Sequence, residues 1–202
     1  MTVADKVTSL RLVLAPFFFV VYLLPGWLPA WSGVLAPVSV PVLWVLFVVS
    51  EISDLLDGKI ARARHTVSDF GKLYDPFADT LVRITYFLCF SLEGVLPVIL
   101  LVVVLYREFG IQFLRVLMMQ KGIAMGARWG GKIKAVTYMA AGALALGAVS
   151  IARLGLDAVF PSPVSLYFCF RLAACVVFAL SVLIAILSFI DYAVLYQRAG
   201  KK

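Results

Sequence analysis

An all-α membrane bundle of six transmembrane helices is the fold class this sequence predicts, on three observations. Of its 202 residues, 63% are hydrophobic and only 14% are charged, where a water-soluble domain carries about 25%. The apolar residues fall into runs long enough to cross about 30 Å of hydrocarbon. Most of the 18 Lys and Arg residues gather in the N-terminal lead, the 59–72 turn, the 121–134 loop and the tail. The intervening connections at 25–41, 93–97 and 154–163 hold none, so the positive-inside rule places both termini and residues 59–72 on the cytoplasmic side. The net charge of +7 is thereby assigned to topology and phosphate contacts. No basic stripe with interleaved aromatics appears, which argues against a nucleic-acid surface.

The elements follow in order, as one domain over residues 1–202. After a polar lead, a first span covers about 8–24, with Arg11 one turn in and Pro25-Gly26 ending it. Lys6 and Arg11 before an apolar run resemble a signal peptide. No small-x-small site plainly ends the run, and five more apolar segments follow, so an uncleaved first helix is expected. Residues 26–41 read as an outer loop with a Trp belt and three prolines. The second span runs from about 42 to 62, and the third from 69 to 92, up to the turn at Glu93-Gly94. The fourth covers 97–118, the fifth 135–151 and the sixth 164–196. Cys89, Cys169 and Cys175 all sit in apolar runs without metal or redox spacing.

One stretch breaks this apolar pattern. Residues 54–79 hold five of the eleven acidic residues. Asp54 and Asp57 share one helical face, and Gly71, Asp75 and Asp79 recur every four residues on the next helix. Carboxylates in a membrane segment cost several kcal/mol, so they face a watery cavity and a partner. If the two helices are antiparallel neighbours, four like charges converge and repel unless cations neutralise them. Hard divalent cations with oxygen ligands, Mg²⁺ or Mn²⁺, suit that donor set, whereas a single His, His65, and no nearby Cys speak against zinc. Gly58 and Gly71 allow close approach of a ligand, and Arg62 offers a forked phosphate donor. The reading is a metal-and-phosphate site reached from the cytoplasm. Interfacial salt bridges with Lys59, Arg62, Arg64 and Lys72, or a carboxylate-lined cation channel or carrier, are the competing readings.

The pattern Asp54-x2-Asp57-Gly58-x2-Ala61-Arg62-x8-Gly71-x3-Asp75-x3-Asp79 resembles the complete signature of the CDP-alcohol phosphotransferases. That resemblance implies a six-helix membrane enzyme, usually a homodimer, that transfers a group out of a CDP-linked donor and releases CMP. It further implies that Asp54, Asp57, Asp75 and Asp79 ligate two metals and that Asp79 is the base. Asp54, Gly58, Ala61, Arg62 and Gly71 would line the CDP site. A bacterial source is expected on the same ground.

Outside the signature, the chain is similar to the family's phosphatidylglycerophosphate synthases, whose substrates are CDP-diacylglycerol and glycerol 3-phosphate. The similarity lies in Thr8-x2-Arg11-x4-Pro16, Asp75-Pro76-Phe77-Ala78-Asp79, Arg107-Glu108-Phe109 with Arg115, and Gly131-Lys132-Ile133-Lys134. Beyond about residue 140 only hydrophobicity is shared. Arg107, Arg115, Lys132 and Lys134 are the expected acceptor-phosphate residues, since a phosphate dianion needs such donors. The chain departs from those synthases at Thr80, where they commonly carry lysine, and at Ala135, where they tend to have threonine. Both positions adjoin the acceptor side, which leaves an inositol phosphate, and then serine, as rival acceptors.

Overall fold

The computed structural model describes residues 3–63, 69–120, 129–159 and 164–199, with side chains described except at 3–7, 55–63, 69, 70, 72, 73, 129–132, 198 and 199. Six long helices carry the chain: α1 Val3–Trp27, α2 Ser32–Ala63, α3 Asp69–Leu92, α4 Val98–Gln120, α5 Trp129–Leu154 and α7 Leu166–Ala199. A 3₁₀ turn, Pro29–Trp31, and the one-turn helix α6, Leu156–Val159, complete it. There is no strand among the described residues, as the all-α reading expects.

Packing closes these helices into a ring. Helix α1 lies against α2 and α3, α3 against α4, α4 against α7, α7 against α5, and α5 against α2, while α3 also touches α5 across the middle. The apolar centre is largely aromatic. Phe18 stacks its ring 4.5 Å from Tyr86, and Phe87 lies 4.5 Å from Phe178, joining α1 to α3 and α3 to α7. Small residues draw α5 inward: Ala141, Ala145 and Ala148 are fully buried. A methyl group on Gly142 would meet Phe47 of α2 at 3.0 Å, and one on Gly147 would meet Phe170 of α7 at 2.8 Å. The Ala140–Ala148 run therefore joins α5 to both α2 and α7.

Among the described residues, four stretches are long and apolar enough to cross a membrane: Thr8–Trp27, Pro29–Asp54, Ile133–Leu154 and Leu166–Gln197. Helices α3 and α4 are of similar length, and both are interrupted by charge.

Helices α1, α2, α5 and α7 outrun their predicted spans, while α3 coincides with 69–92. Helix α2 begins at Ser32, where the sequence suggested a loop as far as 41, and holds Pro37 and Pro41 within it. Each proline removes one N–H donor, which helices packed in an apolar setting tolerate; between them Ser39 Oγ donates to Ala36 O at 2.7 Å. Helix α5 starts at Trp129 rather than 135, so Lys134 stands on a helix. The turn after α3 is as expected. Gly94 adopts φ +70°, with Gly94 N bonded to Ser91 O and Val95 N to Phe90 O, a glycine C-cap of the Schellman type.

Candidate active site

Helix α1 brings two polar side chains to the carboxylates of the acidic stretch. Thr8 and Arg11 stand one turn apart and are fully or almost fully buried. Thr8 Oγ1 donates to Asp75 Oδ1 at 2.7 Å. Arg11 NH1 donates to Asp54 Oδ1 at 2.9 Å and also to Asp79 Oδ1. Asp54 of α2 and Asp79 of α3 thus meet through a guanidinium supplied by a third helix. Arg83, one turn beyond Asp79, reaches Asp54 Oδ2 at 3.4 Å. Ser9 Oγ and Tyr74 OH, 2.9 Å apart, tie α1 to α3 alongside.

A second charged group is built by α4, α5 and α7. The Glu108 carboxylate is buried, and its Oε1 accepts from Arg107 NH1 at 2.9 Å and from Lys134 Nζ at 2.7 Å. Arg107 is held further by Nε to Ala185 O at 3.0 Å and NH2 to Ser188 Oγ at 3.3 Å. A carboxylate shared by two cations leaves the group net positive. It also fixes both cations in place, because each hydrogen bond to a charged partner is short and directional. Arg107 and Lys134 retain N–H donors beyond these bonds.

The two groups face one cavity of about 350 Å³, lined by Asp54, Asp79, Thr80 and Arg83 on one side and by Arg107, Glu108, Gln112, Arg115 and Lys134 on the other. Pro76, Ile111, Ala135 and Tyr192 complete the wall. Three carboxylates and four cations share this space. Arg115 Nε is buried with no hydrogen-bond partner among the described residues. A chamber of this kind binds an anion at the basic side and presents carboxylate oxygen to it from the other.

Of the predicted site residues, the structure unites Asp54, Asp79, Arg107, Arg115 and Lys134 on this cavity. It places Asp75 on Thr8 and buries Gly71. The side chains of Asp57, Ala61, Arg62 and Lys132, together with Gly58, lie outside the described residues. Among the described residues, no three of His, Cys, Asp or Glu stand together as a metal cage.

Sequence reasoning did not single out Arg83, Gln112 or Tyr192, and gave Arg11 and Glu108 no role of their own. Arg83 was legible as the next step of the Asp75-x3-Asp79-x3-Arg83 face. Gln112 falls on the Glu108 and Arg115 face of α4 by the same spacing. Tyr192 carries no local signal, because it reaches the cavity only through the packing of α7.

Comparisons with known proteins agree with the signature. A family model described as CDP-alcohol phosphatidyltransferase matches residues 1–187. A Treponema pallidum protein named CDP-diacylglycerol–glycerol-3-phosphate 3-phosphatidyltransferase is 40% identical over 145 residues, 70% of this chain and 66% of that protein's length. A Mycobacterium tuberculosis protein named "Probable phosphatidylglycerophosphate synthase" is 30% identical over 189 residues, covering 94% of this chain and 78% of the relative. A Bacillus subtilis protein with the same name as the Treponema one is 30% identical over 135 residues, 64% of this chain and 68% of its own.

Proposed function

The chain belongs to the CDP-alcohol phosphatidyltransferase family, and on that footing we propose that it moves the phosphatidyl group of CDP-diacylglycerol to glycerol 3-phosphate. The products are phosphatidylglycerophosphate and CMP. The observation that carries this reading is the one cavity that Asp54 and Asp79 share with Arg107, Arg115 and Lys134. The relatives' names supply the acceptor.

In this reaction the acceptor's terminal hydroxyl oxygen attacks the phosphorus that bears the diacylglycerol. The bond from that phosphorus to the bridging oxygen breaks, and CMP leaves with the electron pair. Asp79 takes the hydroxyl proton, as a carboxylate within hydrogen-bond reach can. Arg107, Arg115, Lys132 and Lys134 hold the acceptor's phosphate. Glu108 keeps Arg107 and Lys134 aimed at it through the bonds to Oε1. Asp54, Gly58, Ala61, Arg62 and Gly71 line the CDP side. The protein supplies position and electrostatics, which account for most of phosphoryl-transfer catalysis.

Two divalent cations, Mg²⁺ or Mn²⁺, are the cofactors of this reading, held by Asp54, Asp57, Asp75 and Asp79. Two things support the fit: the donors are hard carboxylate oxygens, and Asp54 and Asp79 already converge on one positive charge, that of Arg11. When bound, such ions spread the charge of the diphosphate and of the leaving CMP. The setting is a bacterial cytoplasmic membrane, crossed six times with α3 and α4 included, both termini and the site facing the cytoplasm, and the enzyme a homodimer. Incubating the purified protein with CDP-diacylglycerol, Mg²⁺ and, in turn, glycerol 3-phosphate, inositol phosphate and serine tests the acceptor. Phosphatidylglycerophosphate is the expected product. Lipid product from inositol phosphate or serine alone would overturn the assignment.

A further inference from the structure

We propose that Gln112 and Thr80 together read the middle hydroxyl of a three-carbon phosphorylated acceptor and so set acceptor specificity. The inference rests on the phosphatidyl-transfer reading above and adds residues to it that neither the signature nor the comparisons assign.

Gln112 Nε2 donates to Thr80 Oγ1 at 3.4 Å, a long bond that a substrate hydroxyl can enter. Both side chains line the cavity. Thr80 directly follows Asp79 on α3, while Gln112 stands on α4 four residues after Glu108 and three before Arg115, on one face with both. The pair is thus a hydrogen-bonded bridge from the carboxylate side of the cavity to the basic side. Thr80 is fixed in orientation: its hydroxyl hydrogen goes to Pro76 O at 2.8 Å, which leaves Oγ1 an acceptor towards the cavity. Gln112 retains an amide hydrogen and its carbonyl oxygen with no partner among the described residues. That is one donor and one acceptor, the complement of a hydroxyl group.

Glycerol 3-phosphate has its reacting hydroxyl at one end, its phosphate at the other, and a second hydroxyl on the carbon between. With the phosphate on the basic side and the terminal hydroxyl at Asp79, the middle hydroxyl falls against the residues that join the two sides. Threonine at 80 and glutamine at 112 make that bridge neutral. Charge at this point therefore does no sorting, and hydrogen bonding does.

The test compares glycerol 3-phosphate with 3-hydroxypropyl phosphate, which keeps the reacting hydroxyl and the phosphate but lacks the middle hydroxyl. A site built to bond a hydroxyl disfavours the analogue without it, so wild-type kcat/KM should favour glycerol 3-phosphate by at least about tenfold. In Gln112→Leu, and separately in Thr80→Val, that ratio should fall to within about twofold of one. An unchanged ratio in both variants overturns the proposal, as does a wild type that uses the two acceptors equally, whatever the variants do. A wild type that makes no lipid from glycerol 3-phosphate refutes the transfer reading instead, and is seen before any ratio is taken.

Discussion

The two ends of the helix bundle bury arginine in opposite ways. At the end where α1 and α5 finish, Arg153 closes on protein partners. NH1 donates to Ser39 Oγ at 2.7 Å, and NH2 donates to Tyr22 O at 2.9 Å and Glu93 Oε1 at 2.6 Å. Its guanidinium lies 4.6 Å from the centre of the Tyr22 ring, and Tyr22 OH closes the circuit on Glu93 Oε2 at 2.9 Å. Three helices, α1, α2 and α5, and the turn after α3 are clasped this way. At the other end, Arg11, Arg83, Arg107 and Lys134 are also paired with carboxylates, but Arg83, Arg107 and Lys134 line a cavity and Arg115 Nε has no hydrogen-bond partner among the described residues. The same chemistry makes a fastener where the cation is closed in by its partners and a candidate site where paired cations front a cavity.

The comparison predicts that changes at the open end cost activity and changes at the clasp cost stability. The largest effect belongs to Asp79→Asn. Turnover should fall by about a thousandfold or more, since it removes the proposed base, worth about 10²–10⁴, and a carboxylate of the candidate site. Thermal unfolding in detergent should stay close to wild type. Near-normal turnover would remove Asp79 as the base.

Next is Lys134→Met, which keeps bulk and deletes one phosphate donor. A lost charge-assisted bond lowers kcat/KM for glycerol 3-phosphate by about ten- to a hundredfold, and steady-state kinetics should show KM for CDP-diacylglycerol unmoved. An equal loss for both substrates would mean that Lys134 holds the fold rather than the acceptor.

At the clasp, Arg153→Ala should destabilise by about 2 kcal/mol, below the 3–5 of a fully buried broken pair because the Glu93 side chain is 40% exposed. Specific activity of the folded fraction should be unchanged. A loss of activity at full stability would break the distinction between the two ends.

The smallest effect is expected at Asp157, on the link between α5 and α7. It accepts hydrogen bonds from Ser165 Oγ at 2.6 Å and from the backbone N–H groups of Leu166 and Tyr167. Chiefly the Ser165 bond, then those to the backbone, hold its carboxyl below the usual carboxylate range. A lowered folded pKa stabilises above the unfolded value, about pH 4, and that contribution is lost as pH falls through the folded value. Asp157→Asn should therefore lower Tm slightly at pH 7, with the difference from wild type vanishing in acid.

How much of this was legible in the sequence varies with how far each feature depends on packing. The Asp54/Asp57 and Gly71/Asp75/Asp79 spacings are local and so readable from the chain, and Asp54 and Asp79 both line the cavity. Arg107, Arg115, Lys132 and Lys134 were legible as a set through the resemblance and because a phosphate dianion needs such donors. The anchor that Arg107 and Lys134 share, Glu108 Oε1, was not, since it requires α5 to meet α4. Arg11 was visible only as part of a resemblance, because its partners lie 43 and 68 residues away. The start of α2 was misplaced because Pro37 and Pro41 read as loop residues, a rule drawn from water-exposed backbone. Helices α3 and α4 fall short of the apolar character of the other four because they carry the site: Asp75, Asp79 and Arg83 on one, Arg107, Glu108 and Arg115 on the other.

The central claim is that the open polar end transfers a phosphatidyl group. It is tested most directly by CMP release from the purified protein given CDP-diacylglycerol and Mg²⁺. The account predicts that CMP appears only when glycerol 3-phosphate is added, in equal amount to the phosphatidylglycerophosphate formed, and that Asp79→Asn abolishes both. No CMP release, combined with divalent-cation flux into liposomes in the absence of nucleotide, would contradict it and make the cavity a cation path.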